Sequence, residues 1–176
     1  RIYTDIPLPL DPPQRTEHCG TCRACLDICP TQAFTAPWVL DARKCISYLT
    51  IEYHGVIPEP LRKPMGNRIY GCDDCQIACP WNKFAQQTAE PDFSPRHALD
   101  AVSLLECFSW DEATFLSKTE GSAIRRIGFE RWRRNVAVAL GNAPSSPEIS
   151  AALTAALNDP SSLVREHVRW ALAQHS

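Results

Sequence analysis

The sequence predicts a mainly α-helical protein in two parts: a cysteine-rich metal-binding module at residues 18–92, then helical repeats at 93–176. Three observations support this. Eight of the nine cysteines lie between Cys19 and Cys79, at the spacings of metal ligands. From about Ser94 onward cysteines nearly vanish, and Ala, Leu and Val recur at helical spacing. Finally, the octapeptide NVAVALGN at 135–142 aligns with HVRWALAQ at 167–174, an offset of 32 residues that also sets Arg133 on Arg165. Helix pairs repeating at such a period mark α-solenoid units, which cannot bury their apolar face singly. An ordinary alanine-rich bundle is the competing reading.

Composition narrows the function classes. With 176 residues and 44% hydrophobic content, the chain is long enough for a real core. A net charge of −2 gives no average reason to expect nucleic acid, so any such signal must be local. No apolar run approaches the roughly 18 residues of a spanning helix, so no membrane is expected. Residues 1–13 are polar and proline-rich, unlike a secretory signal. The chain opens at Arg1 without Met, and residues 1–17 read as a lead-in from a longer protein whose N-terminal part is missing. An odd cysteine count without a signal peptide also argues against a disulfide scaffold.

The first motif, Cys19-x2-Cys22-x2-Cys25-x3-Cys29-Pro30, is the bacterial ferredoxin run. In two-cluster proteins its fourth cysteine ligates the other cluster. Three cysteines on a tight loop wrap one face of a cubane, while the fourth leaves on the next helical turn and points away. Short helical turns are expected from Arg23 to Leu26 and from Asp73 to Ala78. The second motif, Cys72-x2-Cys75-x3-Cys79-Pro80, lacks its first cysteine, and Ile69 stands where that cysteine belongs. Cys45 is the nearest substitute. Pseudo-twofold exchange then gives one 4Fe–4S cluster Cys19, Cys22, Cys25 and Cys79, and the other Cys29, Cys45, Cys72 and Cys75. Two all-cysteine zinc sites would use the same thiols, although zinc motifs rarely show the full run. Cys107 sits among apolar residues and reads as a buried, inert thiol.

The insertion between Cys45 and Cys72 has no counterpart in a simple ferredoxin. Within it, Glu52 and His54 alternate with apolar residues and could face a cofactor, or simply form a solvated edge. Gly66 and Gly71 permit unusual backbone angles, for a close approach or for a tight turn. The stretches CISYLTIE at 45–52, GCDDCQ at 71–76 and CPWN at 79–82 resemble the epoxyqueuosine reductase family. The resemblance covers nearly the whole chain. It implies a cytoplasmic, cobalamin-dependent iron–sulfur enzyme of tRNA modification, with a cobalamin domain upstream of the clusters and HEAT-like helices after them. The catalytic acid would lie upstream of Arg1. The resemblance also implies that Glu52, Cys72 and Asp73 help cover the corrinoid, that Cys45 is the displaced ligand, and that a cytosolic donor protein feeds electrons to a monomer.

Residues 118–135 carry Lys118, Arg125, Arg126, Arg131, Arg133 and Arg134 against Glu120 and Glu130 alone. Clustered cations on a helix neutralise phosphates and release counterions. A solvated charged face is the ordinary reading of such a run, and Phe129 and Trp132 read as core. With the resemblance, the run together with Asn135 becomes the expected contact to tRNA carrying epoxyqueuosine. The alternative functions are an electron-transfer ferredoxin module fused to helical repeats, and a relative of corrinoid reductive dehalogenases. Anaerobically reconstituted protein is expected to hold about eight iron and about eight sulfide per chain, as two cubanes require. Stoichiometric zinc without sulfide would refute this.

Overall fold

A computed structural model describes residues 3–13 and 15–176; three positions of the lead-in (1, 2 and 14) fall outside the described residues. The lead-in residues that are described run without helix or strand. Helix α1 (Ala24–Ile28) is followed by a hairpin of β1 (Phe34–Ala36) and β2 (Val39–Leu40), then by α2 (Ile46–Ile51), α3 (Glu59–Met65) and α4 (Asp74–Ile77). The antiparallel hairpin, with Trp38 at φ 59 in its turn, is the one sheet among the described residues, and helical periodicity gave no sign of it. Beyond it come α5 (Leu104–Ser109), α6 (Glu112–Lys118), α7 (Gly128–Gly141), α8 (Pro147–Ala155) and α9 (Ser162–Ala173).

The two cysteine runs fold alike because their local chemistry is alike. Cys22, Cys25, Cys29 and Pro30 recur fifty residues later as Cys72, Cys75, Cys79 and Pro80. Arg23 and Asp73, which precede α1 and α4, share nearly the same backbone angles: φ −122, ψ 7 and φ −114, ψ 12. Their carbonyls accept equivalent bonds, from Leu26 and Asp27 in one run and from Gln76 and Ile77 in the other. Each helix stops as the chain turns extended at its last cysteine, Cys29 or Cys79, ahead of the proline. Helices α1 and α4 then pack against each other.

The second half is built from well-capped helices. Ser103, Asp111, Ser146 and Ser161 each accept a backbone N–H from the first turn they precede. Each such cap typically contributes about 1 kcal/mol. Helix α7 packs on α9, while α5 packs on α7 and α8. The two copies of the 32-residue repeat therefore occupy facing helices. Their approach is close: a Cβ on Gly141 would lie 2.7 Å from the Trp170 ring and 2.8 Å from Ala171 Cα. Trp132 is buried and stacks on Trp110 at 5.2 Å, so it belongs to the core as its spacing predicts.

The halves share a core. Ile46 and Leu49 of α2, Ile57, and Met65 of α3 pack with Val138 of α7. At its edge, His167 of α9 is fully buried. Its Nε2 accepts the Ile57 N–H at 3.1 Å, and its Nδ1 lies 2.7 Å from Leu163 O. These partners require the neutral ring protonated at Nδ1. Burial pulls its pKa down to about 4. Because the unfolded ring protonates near 6.5, the unfolded chain binds more protons between those values, and stability falls as pH drops through that window. The urea midpoint is expected to fall on going from pH 7 to pH 5, by a contribution on the order of 2 kcal/mol. His167→Gln should reduce that pH dependence. An equal slope in the variant would show that other groups cause it.

Candidate metal centres and the groove beside them

The eight motif cysteines gather into two groups of four. Cys19, Cys22, Cys25 and Cys79 line one cavity of about 120 Å³, with His18, Pro80 and Trp81 at its wall. Cys29, Cys45, Cys72 and Cys75 line a second of about 60 Å³, walled by Ala33, Phe34, Leu40 and Ile46. This is the partition that ligand exchange between the two runs requires. The thiols ring voids and do not close on a point: among the described residues, no three His, Cys, Asp or Glu side chains are placed to hold a single metal ion. Mononuclear zinc needs its sulfurs within roughly 2.3 Å of one centre. A thiol ring around a void suits a cubane, which takes one thiolate at each iron. The donor set thus fits 4Fe–4S clusters.

The second group is the more enclosed. Partial burial acts to raise the Cys29 thiol, but the Ala33 N–H at 3.3 Å and the Thr31 hydroxyl at 3.6 Å outweigh it, and its pKa ends below the ordinary value. Burial pushes the Cys72 and Cys75 thiols up. By contrast, Cys19 and Cys22 are exposed, and beside them Trp81 meets His18 edge-on and Phe84 at a tilt. Cys107 is 1% exposed, and burial lifts its pKa to about 11, which fits an inert thiol in the helical core.

Beside the second cavity runs an open groove of about 410 Å³, lined by Ser47, Ile51, Arg68, Tyr70, Gly71, Cys72, Asp73 and Asp74. Cys72 and Asp74 line both spaces. Gly71, at φ 72, turns the chain into Cys72 and has only Ser47 Oγ and Ile51 Cδ1 within 4 Å of where a Cβ would sit. Of the three residues expected to cover a corrinoid, Cys72 and Asp73 line the groove. Glu52 stands at the end of α2, exposed, and pairs with Arg126. Sequence reading missed Ser47, Arg68 and Tyr70, which come together only through the folding of α2 against the 68–74 segment.

The cationic run divides sharply. Arg134 and Asn135 are wholly buried. Arg134 donates to Leu49 O at 2.7 Å, Tyr53 O at 2.7 Å and Gly55 O at 3.0 Å, and also to Asn135 Oδ1. Asn135 Nδ2 donates to Thr50 O and Ile69 O, both at 2.9 Å. The expectation that these two side chains reach tRNA is therefore corrected. They seal the C-terminus of α2, whose last carbonyls lack helical partners and carry negative partial charge. Burial lowers the Arg134 pKa to about 10, which leaves it charged at neutral pH. Arg131 is half-buried and donates to Ile51 O at 2.7 Å. Arg133 is also half-buried; it pairs with Asp159 at 2.9 Å and lies over the Phe108 and Phe129 rings. Lys118 is half-buried, and Arg125 and Arg126 are exposed. Tyr70, on the groove wall, donates to Ala123 O, which places the segment bearing Arg125 and Arg126 at the groove's rim.

The fold and its two groups of thiols agree with the match of residues 18–82 to the family described as 4Fe-4S double cluster binding domain. Over nearly its whole length the chain is similar to epoxyqueuosine reductases. It is 66% identical over 174 residues to the epoxyqueuosine reductase of Xanthomonas campestris pv. campestris, covering 99% of this chain and 49% of that one. It is 61% identical to the enzyme of that name from Pseudomonas aeruginosa, over 99% of this chain and 48% of the relative. A solved epoxyqueuosine reductase, described with an epoxyqueuosine-modified tRNA-Tyr stem loop, matches with a TM-score of 0.87 at 32% identity, over 97% of this chain and 45% of the other. The chain thus spans about half the length of the curated relatives it matches. Cys45→Ser is expected to remove or degrade one cluster, lowering iron by about half, whereas Cys107→Ser should leave iron content unchanged. The reverse pattern would show that Cys107 is the displaced ligand.

Proposed function

We propose that this chain is the electron-relay and tRNA-facing part of a cytoplasmic enzyme that reduces epoxyqueuosine in tRNA to queuosine. In the balanced reaction, two electrons and two protons convert the epoxide to an alkene, and its oxygen leaves as water. Supporting this are the names of relatives at 61–66% identity and the stem loop described with the solved neighbour. The observation that carries it is the pair of four-thiol cavities, the second of which shares a wall with an open groove. The cofactors proposed are two 4Fe–4S clusters and cobalamin, the latter held mostly by a part of the enzyme upstream of residue 1, where the catalytic acid is also placed. When bound, the clusters supply single electrons and the corrinoid supplies the metal at which reduction occurs.

The chain's own residues then have separable tasks. Cys19, Cys22, Cys25 and Cys79 hold one cluster at the exposed side, where a cytosolic donor protein reaches it. Cys29, Cys45, Cys72 and Cys75 hold the other. Cys72 and Asp73, which line the groove, would help hold the corrinoid, and Gly71 adds no side chain to that wall. Glu52, tied to Arg126, borders the same region. The protein acts as a monomer in this scheme.

For tRNA, the cationic side chains of the 118–135 run left exposed after folding are Arg125 and Arg126, the latter paired with Glu52, with Lys118 exposed in part. Arg131 and Arg133 keep partial exposure but are already committed to Ile51 O and Asp159. Replacing Arg125 and Arg126 together by Ala is expected to weaken binding of an epoxyqueuosine-bearing stem loop. It should also flatten the dependence of log K on log salt by about 1 for each phosphate no longer neutralised, with iron content unchanged. Unaltered affinity and salt slope would place the phosphates on another surface.

A further inference from the structure

The second ligand set is discontinuous, and nothing in its own cysteine spacing holds it together. Cys45 stands at the N-cap of α2, while Cys72 lies 27 residues on, past α3 and the Gly66 turn. Ile69 occupies the place where a complete run would have its first cysteine. Two hydrogen-bonding groups join these segments. Thr50, fully buried on α2, donates its hydroxyl to Ile46 O at 2.7 Å and accepts the Gly71 N–H at 2.9 Å. Asn135 of α7 bridges the same segments from the other side, donating to Thr50 O and to Ile69 O. Its orientation is set by Arg134, which donates twice to Asn135 Oδ1, at 2.9 and 3.0 Å.

We infer that Thr50 and Asn135 form a clamp that positions Cys45 relative to Cys72, so that the helical region completes the second cluster site without contributing a ligand. Ligand and clamp sit at opposite ends of one short rigid element: α2 carries Cys45 at its start and the clamped carbonyls at its end. On the Cys72 side, the two clamp bonds land within three residues of that cysteine, on Ile69 O and Gly71 N. Outer groups that orient ligands are known to tune both metal affinity and potential. The first site has no such need, because three of its cysteines lie on one loop of seven residues, Cys19 to Cys25. Thr50 and Asn135 are positioning residues, and their effect should fall on one cluster alone. This inference rests on the cluster assignment proposed above.

The test uses the reconstituted protein and Thr50→Val, which keeps the shape but leaves Gly71 N–H without its acceptor. It adds Asn135→Asp, which turns a donor into an acceptor, and Thr50→Ser, which restores the hydroxyl. Cys19→Ser and Cys45→Ser supply reference spectra for loss of either cluster. Iron content, the paramagnetic resonance of the reduced clusters and their midpoint potentials are read, with circular dichroism to follow helix content. In Thr50→Val and Asn135→Asp, the signal absent from Cys45→Ser is expected to be lost or shifted in potential. The signal absent from Cys19→Ser should persist, and Thr50→Ser should behave as the parent. Two clusters of unchanged content and potential would overturn the clamp. Joint loss of both clusters with helix content would also overturn it, leaving Thr50 and Asn135 as general supports of the fold. A Cys45→Ser protein that keeps both clusters would instead refute the ligand assignment beneath it.

Discussion

The C-terminus of a six-residue helix, α2, is the constraint on which the rest of this molecule depends. So short a helix satisfies few of its own carbonyls and is unstable alone. Arg134 takes Leu49 O, Asn135 takes Thr50 O and Arg131 takes Ile51 O, so α7 completes what α2 cannot. The guanidinium of Arg134 is buried, and among the described residues no carboxylate forms an ion pair with it. Its charge is met by backbone carbonyls at the negative end of a helix, together with Tyr53 O, Gly55 O and the Asn135 amide oxygen. A buried charge with unmet hydrogen bonds would cost several kcal/mol, and here each part of the fork has an acceptor.

The same contacts explain why a cysteine-rich module of short helices is joined to a helical region with a conventional core. The cysteine half has few buried apolar side chains of its own, and those it has, such as Ile46, Leu49, Ile57 and Met65, pack with Val138 of α7. Arg62 and His167 extend the seam: Arg62 Nε donates to Ile57 O, and His167 accepts from Ile57 N. Asn142 Nδ2 closes its far end on Arg62 O and Gly66 O. Side-chain groups of α7 and α9 thus satisfy backbone that the insertion between Cys45 and Cys72 leaves unpaired, as buried peptide groups require.

A dense row of arginines therefore carries two kinds of information that look identical in one dimension. On one helix, Arg131 and Arg134 turn inward, Arg133 lies against Asp159 and two aromatic rings, and Arg125 and Arg126 on the preceding turn face solvent. Residues adjacent in sequence point about 100° apart on a helix, so a charge count along the chain mixes buried plugs with solvent-facing cations. Only the solvent-facing ones can meet phosphate.

Legibility from the sequence followed the range of the forces involved. Cysteine spacing, the proline stops and the capped helices are local: a cubane needs thiols on tight loops, and a helix start needs a Ser or Asp acceptor. The gathering of the eight motif cysteines into two groups and the burial of Cys107 were readable for that reason. So were the helices carrying the 32-residue repeat, since apolar periodicity is written within each. The tertiary structure alone decided the rest. The groove needed Ser47 and Tyr70 brought together across more than twenty residues, and the short hairpin at 34–40 depended on pairing rather than on periodicity. Above all, Arg134 and Asn135 became interior groups because their partners include carbonyls 66 to 85 residues away, and a backbone carbonyl leaves no mark in the amino-acid sequence.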